Sequence, residues 1–180
     1  MHPGPVALAH MVLGSTGYLD SFRAHPAVDV AGLLERHGLS WYRRPLGRFG
    51  GALISFGNEY SVLTNSTLPP TDQRLVAAHE LGHYLMHRGQ AQLFLCDVAD
   101  AGTQERQAGR FAAELLMPIQ MLYWFHRRGF EAPSEVARIL GVSVEAAGAR
   151  MVELGLGSTE AVGEGIGGGV FNLGAGEASR

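Results

Sequence analysis

"RLVAAHELGHYLMHR", residues 74–88, carries three histidines at four-residue spacing, His79, His83 and His87, with Glu80 directly after the first. On an α-helix, residues four apart lie on one face, one turn up. His79 and His83 can therefore direct two imidazoles at one metal ion. Glu80 falls at the edge of that face, where a carboxylate can take a proton from a water at the metal and so serve as general base. Zinc (Zn2+) is the ion expected, because imidazole and carboxylate suit it and a catalytic site uses three protein ligands plus water. The other face carries Leu75, Val76, Ala78, Leu81, Leu85 and Met86, so the spacing predicts a core-facing helix over about 72–87. "LPPTD", 68–72, is the loop before it; Thr71 or Asp72 can cap the helix, and Asp72 favours its positive end.

His87 stands apart from the pair. Eight residues after His79, a straight helix has risen ~12 Å and turned about 80°, so the two cannot share one ion. His87 is expected to interact with the last carbonyls of its own helix. The third ligand must come from elsewhere. "TQERQAGRFAAELLM", 103–117, predicts a second helix that offers Glu105 and Glu114. Nine residues at 100° each put the two on opposite faces. The Glu105 face continues through Ala108, Gly109 and Ala112, small residues that let two helices approach closely. The Glu114 face continues through Phe111 and Met117, with Arg110 near enough to pair with the carboxylate. Glu105 is the favoured ligand.

Upstream, "VDVAGLLERHGL", 28–39, has helical spacing at Val30, Leu33 and Leu34, and "RRPLGRFGG", 43–51, reads as a loop. "ALISF", 52–56, and "YSVLT", 60–64, read as two strands joined by a tight turn at Gly57 and Asn58, both tolerant of positive φ. Either strand could take an extended peptide as an added strand. Downstream, Pro118 breaks the second helix, "IQMLYWFHRR" can continue as helix, and two short helices follow at 134–140 and 143–154. Residues 1–27 show little periodicity and are expected to be poorly ordered. The Gly-rich stretch 157–180 cannot bury enough apolar surface to offset chain entropy and is expected to be a flexible tail.

Composition sets the outer bounds. The 180 residues suffice for one domain with a real core. A net charge of -3 argues against nucleic-acid binding by bulk electrostatics. The one cysteine, Cys96, excludes an internal disulfide framework and a Cys-based structural zinc site, and fits a reducing compartment. The apolar N-terminal run is too short for a bilayer and lacks a basic flank, so a cytoplasmic location with no membrane partner is expected.

Taken together, "RLVAAHELGHYLMH" and "ERQAGRFAAELLMP" resemble the paired motifs of the ImmA/IrrE family of zinc metallo-endopeptidases. The likeness is close over 74–118 and extends in layout over about 28–156. It implies a small α+β, zincin-like fold, with a short β-hairpin or sheet and the HExxH helix. It implies that Glu105, the first Glu of the second motif, is the third zinc ligand beside His79 and His83, with Glu80 catalytic. It also implies a cytoplasmic regulatory protease of a stress response or mobile element, whose protein substrate is a cognate helix-turn-helix repressor. Many members carry Asn or Asp where this chain has Gly109, a place that could support the ligands.

The resulting layout is a protease domain at 28–130 and a helix-turn-helix-like pair at 131–156. A DNA-reading second helix needs positive and amide side chains. Here it holds Glu145, Arg150 and Glu153, which favours scaffold or protein docking over direct nucleic-acid binding. Tyr84, Tyr123 and His126 are candidates for stabilising an oxyanion. The alternative function is a non-catalytic module that binds a transcription factor or a toxin–antitoxin partner.

Overall fold

The computed structural model describes residues 3–88, 93–96 and 102–157. The architecture is mixed α+β. Helices α1 (Pro5–Ser15), α2 (Tyr18–Ser21) and α3 (Val30–Arg36) precede strand β1 (Leu39–Arg44) and the hairpin β2 (Gly51–Phe56) and β3 (Glu59–Asn65). Helix α4 (Pro70–His87), strand β4 (Leu93–Cys96), helix α5 (Thr103–Leu116) and helices α6 (Ile119–His126), α7 (Pro133–Leu140) and α8 (Val144–Glu153) follow.

The strands form one sheet in the order β1-β3-β2-β4. β1 runs parallel to β3, while β2 is antiparallel to both β3 and β4. The hairpin turns at Gly57, whose φ of 61° is the left-handed geometry its sequence foretold. The expectation that β2 or β3 could accept an added peptide strand is corrected here. Both are interior strands with a partner on each side, so their backbone groups are already engaged. Arg43 and Arg44, expected at the start of a loop, end the edge strand β1 instead.

Asn65 ties the 45–50 loop to the end of β3. Its Nδ2 donates to the Gly47 carbonyl at 3.0 Å and the Phe49 carbonyl at 2.9 Å, while its Oδ1 accepts from Leu46 N at 3.3 Å. This fixes where β2 begins, and β2 begins over α4. One sheet face, with Leu53 and Val62 buried, packs on α4; Tyr42, Ile54 and Phe56 stand exposed on strands of the sheet.

Helix α4 starts on Pro70, with Pro69 rather than Thr71 or Asp72 at its cap, and no side chain closes that cap. Proline at the first turn has no N–H to leave unpaired, so the helix can start without a side-chain cap. Asp72 still lies in the first turn, and Gln73 donates to the Leu68 carbonyl at 2.8 Å.

The N-terminal segment also departs from expectation. Residues 5–15 are not loosely ordered; they form α1, which buries Ala9, Val12 and Leu13 against α5. Residues 6–13 are all apolar apart from His10, and this uniform apolarity hides the three-and-four spacing of the buried positions. The core runs on through α7 and α8, where Val136, Leu140, Ala147 and Met151 belong to the same buried cluster. Arg74 joins the two ends, donating from α4 to the carbonyls of Val28 and Leu140 and to that of Gly141. All but Gly157 of the tail expected over 157–180 lies outside the described residues.

Candidate metal centre

Two helices build the site. α4 supplies His79 and His83 from adjacent turns, and α5 supplies Glu105 from its first turn. They can approach because of small residues. A Cβ on Gly82 would lie 2.9 Å from Phe111 Cδ1 and 3.3 Å from Ala108 Cα. Gly82 and Ala108 thus set the α4–α5 separation, and Glu105 lies one turn before Ala108 on the same face.

His79 Nε2 lies 2.9 Å from Glu105 Oε2, and His83 Nε2 lies 3.0 Å from Glu105 Oε1. The two Nε2 atoms are 3.0 Å apart. The three side chains offer one ligand atom each, all within 4.8 Å of one another. Two neutral imidazoles carry two N–H groups between them, too few to place a hydrogen bond in all three contacts at once if each donates to the carboxylate. A cation resolves the conflict, since all three groups then present lone pairs to it. Tetrahedral zinc bonds of about 2.0–2.1 Å would set neighbouring ligand atoms ~3.3 Å apart, close to the separations found.

The protonation states suit a cation as well. Burial holds His79 down to about 4 against the opposing pull of Glu105, so its ring is neutral at pH 7. Burial would raise Glu105, but its bonds to His79 and His83 outweigh that and bring it to about 2. A neutral imidazole and an ionised carboxylate are the forms that bind metal.

Glu80 is fully buried next to His79, and among the described residues neither of its carboxylate oxygens has a hydrogen-bond partner. Burial first, and the Glu105 charge second, push its pKa well above the ordinary carboxylate range. An orphaned buried carboxylate is costly unless something arrives to use it.

The other expectations resolve differently. Glu114 is not at the site. It is buried on the far face of α5, and its partner is Arg150 of α8 rather than Arg110. It also accepts from His10 Nε2 at 2.7 Å and from Ile119 N at 3.1 Å. His87 is only 5% exposed, and its ring centroid lies 5.5 Å from that of His83. The Tyr84 hydroxyl accepts from Arg88 at 3.1 Å, and its ring stacks edge-on with Tyr60 and His37. Tyr123 and His126 lie on α6, beyond Pro118. Gly51 was not foreseen as a site residue, although it lies against Val76 and Glu80. No helix among the described residues is long and apolar enough to cross a membrane.

Residues 34–152 match the family described as Peptidase_M78, IrrE N-terminal-like domain. No curated protein matches the chain in sequence.

Proposed function

Because the chain belongs to the Peptidase_M78 family, a family of metallopeptidases, we propose that it is a zinc-dependent endopeptidase. The observation that carries this is the convergence of His79, His83 and Glu105 beside the buried, unpartnered Glu80. His79, His83 and Glu105 would hold the ion. Bound zinc would supply a Lewis acid able to polarise a peptide carbonyl and acidify a water.

The chain's own residues do the rest. Glu80 takes the proton from the attacking water and returns it to the leaving amine. Its buried setting raises its basicity toward that task. Glu105 and the neutral His79 keep the ligand set charged at −1, which leaves part of the ion's charge for the reacting groups. The α4–α5 packing at Gly82 keeps the ligands in register.

The layout proposed with this function is a zincin-like protease domain at 28–130 and a helix-turn-helix-like pair, α7 and α8, at 131–156. The substrate proposed is a protein, specifically a helix-turn-helix repressor, cleaved in the cytoplasm in a stress or mobile-element response. The resemblance of the paired motifs supports that choice.

The test is elemental mass spectrometry with a peptidase assay on purified protein. About one zinc per chain, lost in Glu105→Ala and kept in Glu114→Ala, is the expected result. Glu80→Gln should keep zinc and lose nearly all cleavage. Stoichiometric binding of a repressor with no cleaved product would replace this reading with a non-catalytic interaction module.

A further inference from the structure

We propose that β1 is a docking edge for a protein partner. An extended segment of the partner adds to it as a further strand, carrying two adjacent acidic residues that meet Arg43 and Arg44. The proposal is independent of the metal centre, which α4 and α5 build.

β1 lies at one end of the sheet and, among the described residues, pairs only with β3. Along a strand the backbone groups of successive residues face opposite sides. The Arg44 carbonyl accepts from Ser66 N at 2.9 Å, just past the end of β3, so the Arg44 backbone faces into the sheet. Arg43 then faces outward, and its carbonyl accepts from Arg44 Nη1 at 2.8 Å rather than from a strand. By the same alternation Trp41 offers its N–H and carbonyl at the outer edge. Such an edge is a template for strand addition.

The side chains define what fits. Trp41 and Arg43 share one face of β1, and Tyr42 and Arg44 the other. Arg43 Cζ lies 4.2 Å from the Trp41 ring centroid, and Trp41 is held in turn by Nε1, which donates to Thr64 Oγ1 at 3.0 Å. Arg44 Cζ is 5.9 Å from the Tyr42 centroid. A guanidinium stacked on a ring keeps its in-plane N–H groups for a carboxylate and has less freedom to lose on pairing. Both arginines are exposed, and neither pairs with a carboxylate among the described residues. Adjacent positive charges guard the edge against a second copy, whose β1 would bring the same pair. They select instead a strand with adjacent acidic residues, one on each face, in either strand direction. Nucleic acid fits poorly, because the Trp41 ring is packed against the core and covered by Arg43 rather than open to a base.

The experiment is fluorescence anisotropy with the full chain and a labelled synthetic peptide, rich in valine and threonine, that carries a central Glu-Glu pair. The peptide should bind, and more weakly as salt is raised. Changing the pair to Gln-Gln should weaken binding on the order of 10-fold, and Lys-Lys should abolish it. The Arg43→Glu/Arg44→Glu protein should lose the Glu-Glu peptide and accept the Lys-Lys one, a reversal that only a folded variant can show. N-methyl groups on one of the two alternating sets of peptide amides should abolish binding, and on the other set should not. Hydrogen exchange should slow at the Trp41 and Arg43 amides on binding and stay as it was at Tyr42 and Arg44, which face β3. No binding of the Glu-Glu peptide at millimolar concentration overturns the proposal. So does binding that neither N-methyl set disturbs, which would mean charge contact without an added strand. Wild type that sediments as a dimer, broken in Arg43→Glu/Arg44→Glu, would give the edge to a second copy instead. A single-stranded oligonucleotide that binds more tightly than the peptide, and is lost in the same variant, would give it to nucleic acid. None of these outcomes bears on whether zinc is bound.

Discussion

Gly51 lies over Glu80: a Cβ at position 51 would stand 3.1 Å from Glu80 Oε1 and 2.8 Å from the Leu63 carbonyl oxygen, and would overlap Val76 Cγ1. The start of β2 can cross α4 at this distance only without a side chain. Gly51→Ala should therefore cost about 1–3 kcal/mol, the usual penalty of overpacking. Urea denaturation would read this as a lower midpoint with an unchanged slope. On the proposed mechanism, cleavage should fall with zinc content unchanged, because the crowding reaches Glu80 and not His79, His83 or Glu105. Adding Val76→Ala should restore part of the stability, since Val76 can yield and the Leu63 backbone cannot. A Gly51→Ala protein as stable as wild type would show that β2 moves away from α4 at little cost.

The Glu114–Arg150 pair joins α5 to α8 in the interior, with side-chain exposures of 2% and 6%. Removing one partner of a buried pair strands the other charge, at a cost of roughly 3–5 kcal/mol. Arg150→Met should lower the thermal midpoint strongly and leave zinc stoichiometry at wild-type level in the folded fraction. Glu105→Ala should do the reverse, losing zinc with little effect on the metal-free fold. If Arg150→Met lost zinc while staying folded, the separation of the two carboxylates into a structural and a metal-binding face would be wrong.

These contrasts show which features were legible in the sequence. The opposite placement of Glu105 and Glu114 followed from 100° per residue alone, and α4 and α5 hold enough apolar spacing to announce themselves. β1 was missed because "LSWYRR" is an edge strand that buries only Leu39, so it shows no alternation of apolar and polar positions along its length. The partner of Glu114 was missed because Arg110 is near in sequence, whereas Arg150 is brought in by the tertiary fold. The eight-residue spacing that separates His87 from His79 was legible too, and His87 lies outside the converging group of His79, His83 and Glu105. Gly51 carried no signal at all, since a glycine that permits close approach looks like a glycine in a turn.

Two helical glycines make an opposed pair. A Cβ on Gly109 would meet nothing within 4 Å, whereas one on Gly82 would press on Phe111 and Ala108. Gly109→Ala should stabilise the protein by about 0.5–1 kcal/mol, because alanine loses less backbone freedom in a helix. That corresponds to a rise of roughly 2–4 °C per kcal/mol for a chain of this size. Gly82→Ala should destabilise it and weaken zinc binding, because it pushes α5 from α4. A calorimetric scan of both variants checks the signs; equal shifts in the same direction would refute the packing argument.

On the proposed site, zinc should stabilise the fold by mass action, because His79, His83 and Glu105 converge only when α4 and α5 are docked. At zinc one hundred times its dissociation constant the gain is about 2.7 kcal/mol. Chelation of wild type should thus lower the thermal midpoint by several degrees, and zinc should restore it. Glu105→Ala should show neither response. Glu80→Gln should respond as wild type does, because Glu80 lies outside the converging group of His79, His83 and Glu105. An equal zinc response in Glu105→Ala and wild type would mean that zinc binds elsewhere, and that the contacts His79 and His83 make with Glu105 hold the helices together without an ion.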